Sequence, residues 1–334
     1  MLPYVLKRIA LLIPSLIGVT FMVFVISHVI PADPVGVALG PEATPDQIRA
    51  VKAAWGLDRP IHVQYGRFLR NLLRGDLGYS LVSRRAVSEE LRYYFPATFE
   101  LTTVSMALSL LLGIFIGVVS AVRRNRLFDH LARSYCIFGI SMPIFWLGLL
   151  LLLLFYVKLG WLPGGGRIDD GIEVRSITGL LVLDSLLTGN WAGLGSSLKH
   201  LVLPAFCLSS SFLATISRIA RSSILQVIGE DYVRAARAKG VPEFRVLVKH
   251  VLRNSILPVI TISGILYGQL LGGAVLTETI FSWPGMGRYV VRSVLHLDFQ
   301  PILGFTVLCA LLYALSNLAV DILYSLVNPQ IRLE

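Results

Sequence analysis

Long apolar runs separated by short basic connections dominate the chain, and their spacing predicts an all-α bundle of membrane-spanning helices. The runs lie at about 9–30, 101–122, 131–156, 201–217, 256–276 and 302–326. A bilayer core about 30 Å thick takes roughly 20 apolar residues per helix, so the pattern predicts six crossings. The third run contains Pro143, which predicts a bend, and the fourth is short and contains Pro204. The first run is too long for a signal-peptide core, and no suitable cleavage site follows it, so it reads as a retained helix. Between the first two runs, 31–95 is polar, with amphipathic stretches at 47–55 and 63–73. The expected organisation is therefore an N-terminal end and first helix (1–30), a small extracytoplasmic insertion (31–95), a membrane domain (96–328) containing a cytoplasmic loop (218–255), and a short cytoplasmic tail (329–334).

Composition fits that picture. Of 334 residues 55% are hydrophobic and only 15% charged, yet the net charge is +10. In a water-soluble protein such a balance would suggest nucleic acid as partner. Here the basic residues fall in loops and flanks: Lys7 and Arg8; Arg123, Arg124 and Arg126; then Arg218, Arg221, Arg234, Arg237, Lys239, Arg245, Lys249 and Arg253. The opposite connection between the last two runs carries Arg288 and Arg292 alone. Lysine and arginine concentrate on the cytoplasmic side, so both termini are expected there, in a bacterial inner membrane. Nucleic acid is not an expected partner; the lipid bilayer is. The three cysteines lie in apolar runs without metal-ligand spacing and read as packing residues.

Candidate chemistry is sparse. The chain has no Gly-Lys dipeptide for a nucleotide-binding loop, no H-E-x-x-H and no nucleophile elbow, so no catalytic residue, metal or cofactor is expected on it. Glu100 and Arg133 read as residues near span ends, where snorkelling accounts for them. Asp321 lies deeper in the sixth run, as a candidate path-lining or helix-pairing group. Gly264, Gly268 and Gly272 form a small-xxx-small face on the fifth run. That face serves either packing within one bundle or a subunit interface or pore.

The loop between the fourth and fifth runs is the most informative stretch. Glu230 and Asp231 suit a helix start, residues 232–239 form a good helix with small side chains on one side, and Gly240 stops it. Pro242 then opens a second helix whose Phe244, Leu247 and Val251 repeat as an apolar face. A helix–glycine–helix elbow, small at its tip through Ala235, Ala236 and Gly240, is shaped to enter a partner's groove.

These residues resemble the EAA motif of binding-protein-dependent ABC permeases. Residues 232–240 and 250–258 are similar to the version in the dipeptide, oligopeptide and nickel subfamily, with Arg234 in place of the broader motif's leading Glu and a longer gap to Leu257-Pro258. The similarity extends to 75–80 (Gly-Asp-Leu-Gly-Tyr-Ser), 141–146, 276–288, 320–324 and Asn328-Pro329; the segments around Pro14 and at 28–34 resemble the "B" member of the permease pair. The resemblance implies a type I importer with a second permease, two cytoplasmic ATPases that hold ATP and Mg, and an external binding protein. It implies a coupling loop carrying Tyr232, Arg234, Ala235, Ala236, Lys239 and Gly240. Cargo would be peptides or, in the same class, nickel chelates, glutathione or oligosaccharides. An ion-coupled secondary transporter would need a coupling site that the sequence does not show. The stretch with Glu278, Trp283, Pro284, Gly285 and Arg288 is expected to form a re-entrant turn near the outer gate and binding protein, where Gly285→Val lowers uptake without lowering abundance.

Overall fold

The computed structural model describes residues 2–29, 34–39 and 43–327. Among these the chain is helical, with one isolated bridge between Tyr79 and Ala86 and no strand. In order, the helices are α1 (Leu2–Val29), α2 (Pro34–Leu39), α3 (Pro45–Trp55), α4 (Ile61–Leu73), α5 (Val87–Val122), α6 (Leu127–Ser141), α7 (Ile144–Leu151), α8 (Leu181–Leu187), α9 (Trp191–Ile228), α10 (Asp231–Ala238), α11 (Glu243–Arg245), α12 (Arg253–Ser255), α13 (Leu257–Gly273), α14 (Val275–Ile280), α15 (Met286–Leu295) and α16 (Phe299–Val327). Two stretches are π-helical: Leu152–Lys158 continues α7, and Val246–Leu252 joins α11 to α12.

Three of these helices, α5, α9 and α16, are long and apolar enough to cross a membrane. The number rises to five if each of two bent pairs is one span, and α1 adds a shorter apolar stretch at Ile13–Ile26. The bend expected at Pro143 is a turn of 106° between α6 and the α7 segment, so the third run is a broken one. Proline removes the backbone N–H and clashes with the preceding turn, which ends α6 at Ser141.

Two helices exceed their hydropathic lengths. α5 begins at Val87 rather than near 101 because Glu89 and Glu90 sit favourably in its first turn. Val87 and Leu91 are also buried against Met286 and Tyr289. α9 spans Trp191–Ile228 although only 201–217 stands out as apolar. It is the central helix of the bundle and is largely buried in protein, so it does not need a lipid-compatible surface. Ser197, Ser209 and Ser210 donate their hydroxyls to carbonyls three residues back, which removes much of the penalty for burying them.

Small residues set the closest helix contacts. A Cβ on Gly113 or Gly117 of α5 would lie 2.9 Å from Ile216 or 2.7 Å from Ala220 of α9. Gly264 of α13 lies directly against Val320 of α16, and a Cβ on Gly268 would lie 2.5 Å from Tyr313. Gly272 meets only Cys309, at 3.9 Å. The glycine face of α13 thus packs against the chain's own α16. Asp321 lies on α16, but its side chain is outside those described.

In the insertion, α3 carries a capping box from Thr44 and Gln47 and ends at left-handed Gly56. α4 docks on α1: Tyr65 donates to the Ile17 carbonyl, and its ring packs beside Phe21 and Phe24. Glu100 is buried and ion-paired with Arg167 of the α7–α8 connection, and it accepts the Val182 N–H at 2.8 Å. That pairing replaces the snorkelling expected of Glu100. A carboxylate buried in the helix bundle is stable here because a guanidinium and a backbone donor meet it.

Candidate functional site

The elbow between the fourth and fifth apolar runs is built on α9. The chain leaves that helix at Gly229, extends through Glu230 (φ −69°, ψ 147°), and enters α10. Val233 and Ala236 form the inner face of α10, packed with Ile224, Val246 and Val251. Tyr232, Arg234, Ala235, Lys239 and Gly240 lie on the exposed side. Of the three small tip residues, then, Ala235 and Gly240 face outward, while Ala236 faces the chain's own core. Gly240 has φ +73°, and a Cβ there would meet nothing within 4 Å. Backbone conformation, not space, selects glycine at this turn.

Polar contacts hold the elbow's shape. Arg237 donates to both carboxylate oxygens of Glu243 (2.6 and 3.1 Å), clamping α10 to α11 across the turn. Arg234 pairs with Asp231 one turn back. Asn254 donates to the Tyr232 hydroxyl at 2.9 Å, tying α10 to α12. The second helix departs from the expected register. Val246 and Val251, five residues apart, are fully buried, and Phe244 is 78% exposed. The i,i+5 period belongs to the π-helical stretch, which rotates Phe244 out of the apolar face that an α-helical count assigns to it. Phe244 therefore joins the exposed elbow surface beside Gly240. An i,i+5 reading of the valines was the sequence signal for it.

The stretch read as a re-entrant turn is largely buried in protein. Glu278 of α14 is fully buried; Thr98 donates to its Oε1 at 2.6 Å and the Arg288 N–H to its Oε2 at 2.9 Å. The Thr98 hydroxyl in turn accepts the Met286 N–H at 2.8 Å, so α5, α14 and the first turn of α15 meet at one carboxylate. A Cβ on Gly285 would overlap that carboxylate, and Gly287 packs against it and Val275. Trp283 is buried and donates to the Ala97 carbonyl at 2.8 Å. Pro284 is half-buried, and Arg288 is exposed, donating to the Ser282 carbonyl at 3.0 Å. The glycine-rich α7–α8 connection packs on this turn: the Gly166 N–H donates to the Phe281 carbonyl at 3.1 Å. Glu278, Trp283 and Gly285 are thus packing and hydrogen-bonding residues of the outer turn, with Arg288 at its surface.

No three His, Cys, Asp or Glu side chains among the described residues are grouped to hold a metal ion. Asp129 is buried on α6 and accepts both Arg221 Nε–H (2.7 Å) and Arg221 Nη2–H (2.8 Å), locking α6 to α9 just above the elbow.

Comparison with known proteins agrees with this geometry. Residues 113–333 match the family described as binding-protein-dependent transport system inner membrane component, and residues 1–102 match the corresponding N-terminal family. The probable D,D-dipeptide transport system permease protein DdpB of Escherichia coli is 46% identical over 94% of this chain and 93% of its own length. The dipeptide permease DppB of Alkalihalophilus pseudofirmus is 42% identical over 99% of this chain and 100% of its own. The glutathione permease GsiC of Salmonella paratyphi A is 42% identical over 99% of each chain. Among solved structures, an inward-facing MetNI methionine ABC transporter chain superposes with a TM-score of 0.54 at 17% identity, covering 71% of this chain and 96% of that one, a likeness of fold. The chain therefore belongs to the binding-protein-dependent transport system inner membrane component family.

Proposed function

We propose that this chain is one of two permease subunits of an ATP-driven importer of small peptides. A second permease completes the translocation path, two cytoplasmic ATPases bind ATP and Mg, and an external binding protein delivers cargo. Both termini lie in the cytoplasm, and the chain itself catalyses no reaction. The observation that carries the reading is the elbow. Its rear face, Val233 and Ala236, is fixed to the bundle, while its outer face is small at Ala235 and Gly240 and aromatic at Phe244. Such a surface suits insertion into a groove, and its rigid attachment to α9 and α13 suits transmission of movement into the membrane. The relatives named for dipeptide and glutathione transport support small peptides as cargo.

Bulk added on the outer face tests this directly. Ala235→Trp leaves the packed face intact, so the permease should reach the membrane at normal levels yet lose ATPase copurification or binding-protein-stimulated hydrolysis. Retention of both, with normal uptake, would remove the elbow from the coupling role. Ala236→Trp does not discriminate, because overfilling the valine cluster acts on the permease's own stability.

A further inference from the structure

At the cytoplasmic end of the bundle, α6 and α9 leave between them an open cavity of about 530 Å³. Arg133, Arg218 and Arg221 line it, and so do Ile137 and Ile140. Asp129, fully buried, is spent on Arg221 through two hydrogen bonds. Arg133 stands 3.8 Å from the same carboxylate and is 45% exposed. Arg218 is exposed and has no ion-pair partner among the described residues. One buried carboxylate thus faces three guanidinium groups, and the cavity carries a surplus of positive charge.

The polar and apolar parts are ordered along the helix. Arg133 lies about 10 Å from the start of α6 and Ile140 about 10 Å further in, at 1.5 Å per residue. Ile137 is 70% exposed and Ile140 43% exposed, so the deeper wall is uncovered apolar surface. Beside it, Arg123 and Arg126 with Leu127, Phe128 and Leu131 line a second pocket of the same mixed character. A peptide zwitterion would need an acid for its ammonium group, and no acidic side chain lines either pocket. An anion with an attached hydrocarbon chain matches both halves. Basic pockets between membrane helices on the cytoplasmic side bind anionic lipid headgroups in this way.

We propose that the α6–α9 cavity holds an anionic phospholipid of the cytoplasmic leaflet, its phosphate on Arg133 and Arg218 and an acyl chain along Ile137 and Ile140. The leaflet assignment rests on the orientation given above; the lipid site does not depend on which cargo is carried. Occupancy would brace the junction where the Asp129–Arg221 pair joins α6 to the helix that leads into the elbow.

Native mass spectrometry of the assembled, detergent-purified importer tests the site. Phosphatidylglycerol should be retained in preference to phosphatidylcholine of the same chains, and in preference to its dihexanoyl form. Arg133→Gln with Arg218→Gln should raise the half-saturating phosphatidylglycerol concentration about tenfold to thirtyfold, while Arg218→Lys should stay near wild type. Arg133→Gln alone, at a half-exposed position, gives a smaller shift in the same direction and guards against misfolding of the pair. Displacement by glycerol phosphate at equal concentration would mean that the anion alone is recognised and would overturn the lipid assignment. So would equal retention of the two lipids, or unchanged retention together with a raised KM for peptide uptake, which would place the cavity on the cargo route. Failure of the importer reading would show separately, as absent ATPase subunits in the same preparation.

Discussion

Gly285 and Gly240 are glycines for opposite reasons, and substituting alanine at each separates them. At Gly285 the backbone is ordinary (φ −105°, ψ 180°), but a methyl group would fall on the Glu278 carboxylate. That carboxylate cannot retreat freely, since Thr98 and the Arg288 N–H hold its two oxygens at 2.6 and 2.9 Å. Displacing it forfeits a charge-assisted hydrogen bond, about 1.5–3 kcal/mol, and overpacking a fitted interior adds about 1–3 kcal/mol. The sum, about 2.5–6 kcal/mol, is a large share of the 5–15 kcal/mol that typically separates folded from unfolded domains. Gly285→Ala should therefore lower both membrane abundance and thermal stability of the detergent-solubilised permease, and the bulkier Gly285→Val more so. This reverses the expectation from sequence that abundance would be spared. Glu278→Asp withdraws the carboxylate by about one bond length, 1.5 Å, so the double variant should recover part of the loss as a coupling of about 0.5–3 kcal/mol. Wild-type stability of Gly285→Ala, or strict additivity with Glu278→Asp, would refute the packing of that carboxylate over Gly285.

Three further outcomes follow from other sites. Gly240→Ala meets no neighbour and acts only through a left-handed backbone, so it should cost about 1 kcal/mol and leave abundance nearly normal in the same melting assay. Asp129→Ala strands the Arg221 guanidinium, 20% exposed, and should destabilise by about 3 kcal/mol, near the lower bound for breaking a buried pair; Ser120→Ala removes a neutral hydroxyl that donates to the same carboxylate and accepts from Arg221 but leaves the ion pair, and should cost less. Asp184, in the outer connection, is desolvated, but hydrogen bonds from Thr178 and the backbone N–H groups of Ile177 and Gly179 outweigh that and depress its pKa. A depressed carboxylate contributes stability above its unfolded value of about 3.9 and loses it as pH falls through the lower folded value. Proteolytic protection of 177–179 should fall in that acid range in wild type and show no such step in Asp184→Asn.

Hydropathy recovered the helices that face lipid and under-read those that face protein. The apolar run at 101–122 marks the hydrophobic part of α5, but nothing in hydropathy registers the roughly four turns before it, whose Val87 and Leu91 are held by contacts with Met286 and Tyr289. α9 was legible only in its middle because its serines are satisfied within the helix and buried by neighbours. The elbow's helices and glycine stop follow from local rules of capping and left-handed turns, so they were readable residue by residue. Its inward and outward faces were not: Ala236 and Phe244 are assigned by the π-helical register and the valine cluster, both products of tertiary packing. The glycine face of α13 showed that something packs closely, and only the placement of Val320 and Tyr313 names α16 as the partner. Likewise the burial of Glu278 and Glu100 depends on Thr98 and Arg167, distant in sequence, which no spacing rule connects.

In the proposed importer the exposed face of the elbow seats on the ATPase subunits while its inner face belongs to the permease. Site-specific photocrosslinking in membranes of cells expressing the whole importer addresses both halves at once. A photoreactive residue in place of Ala235 or Phe244 should yield a covalent adduct with an ATPase subunit, diminished when nucleotide cycling is blocked in one state. The same group in place of Val233 should yield none. ATPase adducts from Val233 but not from Ala235 or Phe244, or no adduct from any of the three in a transport-active complex, would contradict the account.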